Sequence, residues 1–314
     1  MRTPRLAMAA ATLAAFVTTS LPLAAAPPAA PVTPKIPAAP ITPKISVVAI
    51  YDFPSGQYGL PAGTSTIGRG ISNLGDIAGY VQNGSDQWAF IRSANGTFSA
   101  PFVDPADTTG KTTFAFGINV PGTIVGAYLD SNGFMLHNGT YTNSTNEQLY
   151  AINDVGEMCG SGNGLNANAP IPGLVVSGKQ QTTFLAPGAT GPASQTAAEA
   201  INNFAAVAGS FTIDGLTYNG FFRVANGNII VISYPTASQT LVHGLNDQGW
   251  LCGHYIDPQS VDHAFLLIDG KYESYDLPGA IGTSFNGINN AGDISGRYTT
   301  ADGVWHGLIL KVTP

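Results

Sequence analysis

The chain has 314 residues, a formal net charge of −7, 44% hydrophobic and 10% charged residues, and is rich in glycine (38) and proline (22). That length allows one large domain or two ordinary ones, and the acidic balance argues against a nucleic-acid partner, whose phosphates would repel it. Abundant Gly and Pro with scarce Glu and Lys point to many short strands and tight turns rather than helices.

Residues 1–26 carry Arg2 and Arg5, then an apolar, Ala-rich run, then small residues at Ala24, Ala25 and Ala26. This is the pattern of a secretory signal peptide. The run is short and Ala-rich for an anchor, so no membrane span is expected in the mature protein. Residues 27–45 are rich in Pro and Ala and read as a semi-rigid polyproline linker. A single folded domain is expected over 46–314.

Within that domain one phrase recurs six times: GISNLGDIAGY from Gly70, GINVPGTIVGAY from Gly117, AINDVGEMCGSG from Ala151, AINNFAAVAGSF from Ala200, GLNDQGWLCGHY from Gly244 and GINNAGDISGRY from Gly287. A period near 45 residues marks a repeat architecture. Each unit reads as four antiparallel strands. The phrase is a hairpin, an apolar strand such as WAFIRS or HAFLLI follows, and a two-residue turn at Asn95-Gly96, Asn138-Gly139, Asn226-Gly227 or Asp269-Gly270, expected to need φ > 0 at its centre, leads to a last strand such as KYESYDLP. The sixth unit ends after three strands, while residues 46–54 (SVVAIYDFP) resemble the fourth strand of the fifth, YESYDLP. The expected fold is therefore an all-β, six-bladed β-propeller in which the N-terminal strand completes the C-terminal blade, leaving no open sheet edge.

The phrase also predicts its own register. If Asp247-Gln248-Gly249 is a three-residue loop, its last position needs a left-handed residue. That column reads Gly75, Gly122, Gly156, Ala205, Gly249 and Gly292, so Ala205 is expected to carry strain. The pairs Ile71–Ile77, Ile118–Ile124, Ile152–Met158, Ile201–Val207, Leu245–Leu251 and Ile288–Ile294 then give one bulky face. Gly70–Ala78, Gly117–Val125, Ala151–Cys159, Ala200–Ala208, Gly244–Cys252 and Gly287–Ser295 give a thin one. Neighbouring blades are expected to pack bulky face against thin face.

The phrase, the HGF-like third strands and the DLPGA turn resemble the HAF family of extracellular repeats found in secreted bacterial proteins. The resemblance covers residues 46–314. It implies a repeat protein outside the cell and no particular activity. Relatives often carry a C-terminal sorting anchor; this chain ends in LKVTP, so free secretion, extracellular or periplasmic, is expected.

No catalytic signature stands out. There is no GxSxG, HExxH or CxxC, and no carboxylate pair can be placed by spacing. Cys159 and Cys252 share a column in non-adjacent blades and read as small buried residues rather than a disulfide. His243, Cys252 and His254 are expected on different faces, and the turn at Asp130 reads as a turn rather than a calcium loop, so neither metal nor cofactor is expected. One column varies in chemistry: Arg69, Phe116, Tyr150, Glu199, His243 and Asn286. A glycine is expected opposite each, leaving room for a bulky partner, and a second variable column follows with Tyr80, Ala127, Ser161, Ser210, His254 and Arg297. Both are expected near one mouth of the central channel, a concave place where strands converge. The candidate ligand-binding residues are thus Arg69, Tyr80, Tyr150, Glu199, His243, His254 and Arg297. The alternative is that they plug the channel. The reading is a secreted, monomeric binding propeller for a glycan, peptide or protein. A polysaccharide hydrolase or lyase working at the same mouth is the second reading.

Overall fold

The computed structural model describes residues 43–313, apart from 130, 163–165 and 167. The expected signal peptide, most of the linker and the Asp130 turn residue lie outside the described residues. Six antiparallel sheets are present among them, five of four strands and one of three. Numbered in chain order, the blades span 65–92, 113–144, 147–184, 195–232, 239–275 and 282–313. The sixth is completed by Lys44–Tyr51, which pairs with Trp305–Thr313 from Lys44 opposite Thr313 to Tyr51 opposite Gly307. The strand begins two residues before the expected domain start. Among the described residues no helix is long and apolar enough to cross a membrane.

The phrase folds as its spacing requires. All six bulky pairs are found opposite one another, as are five of the six thin pairs. Gly70, the sixth, falls inside an irregular stretch between Gly68 and Ile71. The loop glycines have φ between 77° and 90°, and Ala205 is forced to 56°. The blades also pack as expected. Ala200 and Ala208 of blade 4 lie under Val242, Leu245, Leu251 and Phe265 of blade 5. Cys252 and Ala264 of blade 5 lie under Ile288, Ile294 and Leu308 of blade 6. Tyr51 and Phe53, carried by the closing strand, meet Ile77 and Phe90 of blade 1 across the last seam. Cys159 and Cys252 are buried and free in different seams, and burial pushes both thiols up.

Three expectations need correction. Blade 1 lacks a regular fourth strand. Only isolated bridges, Arg92 to Phe98 and Ala89 to Phe102, stand in its place, and Pro101 between them has no N–H to offer a ladder. The turns at Asn138-Gly139 and Asp269-Gly270 have both residues at positive φ, but at Asn95-Gly96 and Asn226-Gly227 only the glycine does. There the Asn carboxamide instead accepts the backbone N–H two residues on. Third, the repeat glycines are not opposite the variable column. Each innermost strand has a β-bulge there, so Gly126 pairs with Ala115, Gly209 with Ala198, Gly253 with Val242 and Gly296 with Phe285. The variable residue is the extra one, turned away from its partner strand. The glycines are needed for a backbone reason: a Cβ on Gly253 or Gly209 would sit 1.9 Å from the carbonyl oxygen of Leu241 or Ala197.

A threonine near the start of five innermost strands adds a tie that sequence reading missed. Thr66, Thr113, Thr196, Thr240 and Thr283 accept the backbone N–H of Phe53, Asp104, Ala186, Tyr234 and Leu277, which lie just beyond the previous blade. The signal is the threonine that follows each of the turns at Phe53-Pro54, Asp104-Pro105, Ala186-Pro187, Tyr234-Pro235 and Leu277-Pro278.

These contacts separate two kinds of glycine. Gly249→Ala meets open space at a positive φ and should cost about 1–2 kcal/mol. Gly253→Ala meets a carbonyl and should cost more than about 4 kcal/mol, or prevent folding. Ala205→Gly should gain up to about 1 kcal/mol by relieving its left-handed backbone. Urea unfolding of the three variants checks the order.

Candidate functional site

The bulge decides where the variable side chains go. Arg69, Phe116, Tyr150, Glu199, His243 and Asn286, one per blade, line a cavity of about 70 Å³ on the axis, together with the phrase isoleucines. That is room for a few waters. The expected placement at a mouth is corrected. Glu199 is the fifth residue of the seven-residue strand Gln195–Ile201, and His243 is the fifth of Gln239–Leu245. The ring therefore lies inside the channel. Tyr80, His254 and Arg297 sit one strand further out. Tyr80 packs edge-on against Phe114 and Phe116, and the Arg297 guanidinium lies 4.1 Å above the Trp305 ring. Burial lowers the Arg297 pKa, opposed by Tyr80 and Asp262.

The ring has an aromatic side, Phe116 and Tyr150, and an acid–base side, Glu199 and His243, with Arg69 between them. Arg69 stacks 5.3 Å over Phe116, which meets Tyr150 at 5.4 Å. The Tyr150 hydroxyl donates to Gln148, accepts from Ser161 and is pushed by burial up to about 12. On the other side, Glu199 Oε2 lies 2.5 Å from His243 Nδ1 and 3.6 Å from the Arg69 guanidinium. His243 Nε2 lies 2.9 Å from His254 Nδ1. The expectation that His243 and His254 occupy different faces is thus overturned, because the bulge rotates His243 back toward its neighbour.

The hydrogens of this chain have one consistent direction. The Gly68 carbonyl can only accept, so the Asn286 amide donates to it and turns its oxygen to Ser284. Ser284 therefore donates to Asn286 and accepts from His254 Nδ1–H at 3.3 Å. The same N–H is shared with His243 Nε2, and His243 Nδ1–H then donates to an ionised Glu199. Burial works against the Glu199 carboxylate, but His243, Arg69 and Ser210 outweigh it and lower its pKa. Burial, with His243, Arg297 and Arg69 adding to it, holds His254 well below the usual histidine range, so it stays neutral.

The opposite end of the channel holds a site that the sequence reading passed over. The asparagine of each of the last five phrases uses its oxygen to hold its own hairpin, as Asn202 does for Phe204 N–H and Ala206 N–H. Its amide then donates to the carbonyl of the same asparagine one blade on: Asn119 to Asn153, Asn153 to Asn202, Asn202 to Asn246, and Asn246 to Asn289. Asn289 donates likewise to the Ser72 carbonyl of blade 1. The following column, Asn73, Val120, Asp154, Asn203, Asp247 and Asn290, forms a second belt. Here the backbone N–H groups of Val120, Asp154, Asn203, Asp247 and Asn290 each donate to the next blade's side chain at 2.8–2.9 Å. The two belts line a second cavity of about 60 Å³, divided from the first by the phrase isoleucines that border both. Both columns were visible as letters of the phrase; their reach into the next blade was not.

Blades 5 and 6 also share a trio. Tyr255 stacks on His263, whose two nitrogens face Asp276 at 2.9 Å and Asp257 at 3.4 Å. Tyr298 stacks on His306, which contacts Asp52 at 2.8 Å. Burial pulls the His263 pKa down, yet Asp276 and Asp257 raise it overall.

No protein-family model and no curated protein matches the chain. Among solved structures it is similar to TolB from Acinetobacter baumannii, with a TM-score of 0.49 and 14% identity over 76% of this chain; it spans just under two thirds of that protein (66%). It is also similar to a triple Arg-to-Ala mutant of AofleA from Arthrobotrys oligospora, with a TM-score of 0.50 and 13% identity over 87% of this chain and 90% of that one. A fungal lectin from Aleuria aurantia, described as a six-bladed β-propeller with a fucose recognition mode, aligns with a TM-score of 0.46 and 9% identity over 81% and 96%. At 13% identity and a TM-score of 0.50, the likeness to AofleA shows the fold alone.

The two histidines shift stability in opposite senses. His254 is depressed, so the unfolded chain takes a proton near pH 6.5 that the folded chain refuses. Its contribution therefore falls on acidification below pH 6.5, by at most about 1.4 kcal/mol per pH unit. His263 is raised, so its contribution is full below pH 6.5 and is lost as pH climbs through its folded value. Urea unfolding at pH 5, 6, 7 and 8 should give a shallower acid slope in His254→Gln and a shallower alkaline slope in His263→Gln than in the parent.

Proposed function

We propose that the chain is a secreted binding propeller for a glycan, peptide or protein, of the kind the HAF-like repeats suggest, and that the acid–base residues on its axis maintain the channel rather than perform chemistry. The observation that supports this is the hydrogen-bond chain from Glu199 through His243, His254, Ser284 and Asn286 to Gly68, with Arg69 ion-paired to Glu199 at its head. Both nitrogens of His243 are consumed, and the cavity beside them is smaller than a sugar ring. Arg69 and Glu199 are 16% and 11% exposed, and Glu199 is the one carboxylate lining that cavity. Glycosidases of the usual kind need two, placed on either side of the scissile bond.

The second reading, a hydrolase or lyase, draws on the Glu199–His243–His254 contacts, which have the spacing of a carboxylate–imidazole relay. The two readings part on Glu199→Gln. For the binding propeller, a thermal-shift screen over neutral glycans, uronate oligosaccharides and peptides returns a ligand, and its affinity stays within about twofold in Glu199→Gln. Depolymerisation of a polysaccharide by the parent that disappears in Glu199→Gln would overturn the proposal.

A further inference from the structure

The asparagine end of the channel is ringed by hairpin tips, a place where turns normally carry polar residues. Four tips of consecutive blades are apolar and exposed instead: Leu74 (61%), Val120 (40%), Val155 (69%) and Phe204 (69%). They belong to one surface, because the belt beneath them ties Asn73 to Asp154, Val120 to Asp154, and Asp154 to Asn203. None of the four is needed to fill the core, so the apolar crown calls for a covering partner.

The floor of the crown says what kind. Asp154 and Asp247 both reach toward the axis and line the cavity there. One amide, Asn203 Nδ2, lies 3.4 Å from Asp154 Oδ2 and 2.9 Å from Asp247 Oδ2, so the two carboxylates share one small space. Their other partners are the Asn73 and Asn290 amides and the backbone N–H groups of Val120 and Asn203. All of these are neutral. They solvate the two charges without cancelling them, and among the described residues no Lys or Arg is paired with either.

From these features we propose that this face docks a protein partner through a lysine side chain. The ammonium would enter the axial opening between Asp154 and Asp247, and the methylene stem and its flanking apolar residues would lie on Leu74, Val120, Val155 and Phe204. An ammonium is a compact point charge with three donors and suits a cavity of about 60 Å³ whose lining includes two carboxylates. A guanidinium is a broad planar fork and suits it less well. A long aliphatic stem under a charged head is the amphipathic shape that an apolar rim around an acidic floor accommodates. The acidic chain as a whole, at −7, attracts a basic partner over longer range.

The inference rests on the binding-propeller reading and specifies one of its surfaces. It is tested on the chain from residue 27 onward by fluorescence anisotropy, with capped heptapeptides whose central residue is Lys, Nε-acetyl-Lys, Arg or Gln between leucines. The Lys peptide should bind at least about tenfold more tightly than the acetylated one and weaken as salt is raised. Asp154→Asn/Asp247→Asn should lose at least about tenfold. Because that double variant could disturb the belt, Val155→Ser/Phe204→Ser is measured beside it. These exposed tips can be changed without touching the core, and the pair should weaken binding several-fold at an unchanged melting temperature. Equal binding of the Lys and acetyl-Lys peptides, or a preference for Arg, overturns the proposal. So does a concentration-dependent dimer in sedimentation velocity that Val155→Ser/Phe204→Ser dissolves, which would assign the crown to a second copy. A lysine-peptide failure alongside a positive glycan screen sinks this site alone; Glu199-dependent turnover of a polysaccharide sinks the reading beneath it.

Discussion

The constraint on which the rest depends is the fate of backbone groups at the innermost hairpins. Six sheets converge on an axis, and each presents an inner strand with no neighbour beyond it. The N–H and C=O groups at its hairpin face the channel, and leaving them unpaired there is costly. The protein meets this with side chains instead of another strand. One asparagine in each of five phrases braces its own turn with its oxygen and donates forward to the next carbonyl. A second polar residue accepts backward from the previous blade's N–H. The same pair of atoms therefore sets both the hairpin and the angle to the next sheet, which is why the phrase is so much more regular than the strands around it. Apolar packing in the seams supplies stabilisation by area, but it does not by itself count blades; the belts, with fixed reach, do.

The pattern breaks in one place. Blade 1 has Ser72 where the other five have asparagine, and blade 2 has Val120 where the others have Asn or Asp. Both departures fall on the same seam. Ser72 still braces its own hairpin, accepting Leu74 N–H and Asp76 N–H, but is too short to reach blade 2. Asn73 passes over Val120 to Asp154 of blade 3. This seam also borders the one blade without a regular fourth strand. The axial ring is thus tied at five joints and bridged at the sixth.

Period-two and hairpin rules carried the sequence reading a long way. The bulky and thin pairs, the positive φ at Ala205 and the N-terminal strand sealing the last blade all depend on local geometry that a single repeat exposes, and six copies repeat it. The bulge was not legible in the same way. It adds one residue to each innermost strand, and a one-residue change redirects every side chain beyond it. A glycine opposite a variable residue looked like space for a large side chain. It is in fact the only residue that clears a carbonyl 1.9 Å from where its Cβ would be. For the same reason His243 and His254 were assigned to different faces when they are hydrogen-bonded. The Asn and Asp belts were hidden differently: each letter made sense inside its own turn, and only the ring places it beside the next.

The seal between Lys44–Tyr51 and Trp305–Thr313 sets an order of events for the chain. Its partners are separated by nearly the whole length of the domain, so the entropy of bringing them together is spent once and late. Until the last ten residues are available, blade 6 has a bare outer strand and the ring a gap wide enough for another polypeptide's edge. A nascent chain is therefore a different object from the finished one, with a sticky border that vanishes in a single zippering step. Trimming a few residues from either end of the domain would restore that border permanently, and the two ends, remote in sequence, would show one and the same defect.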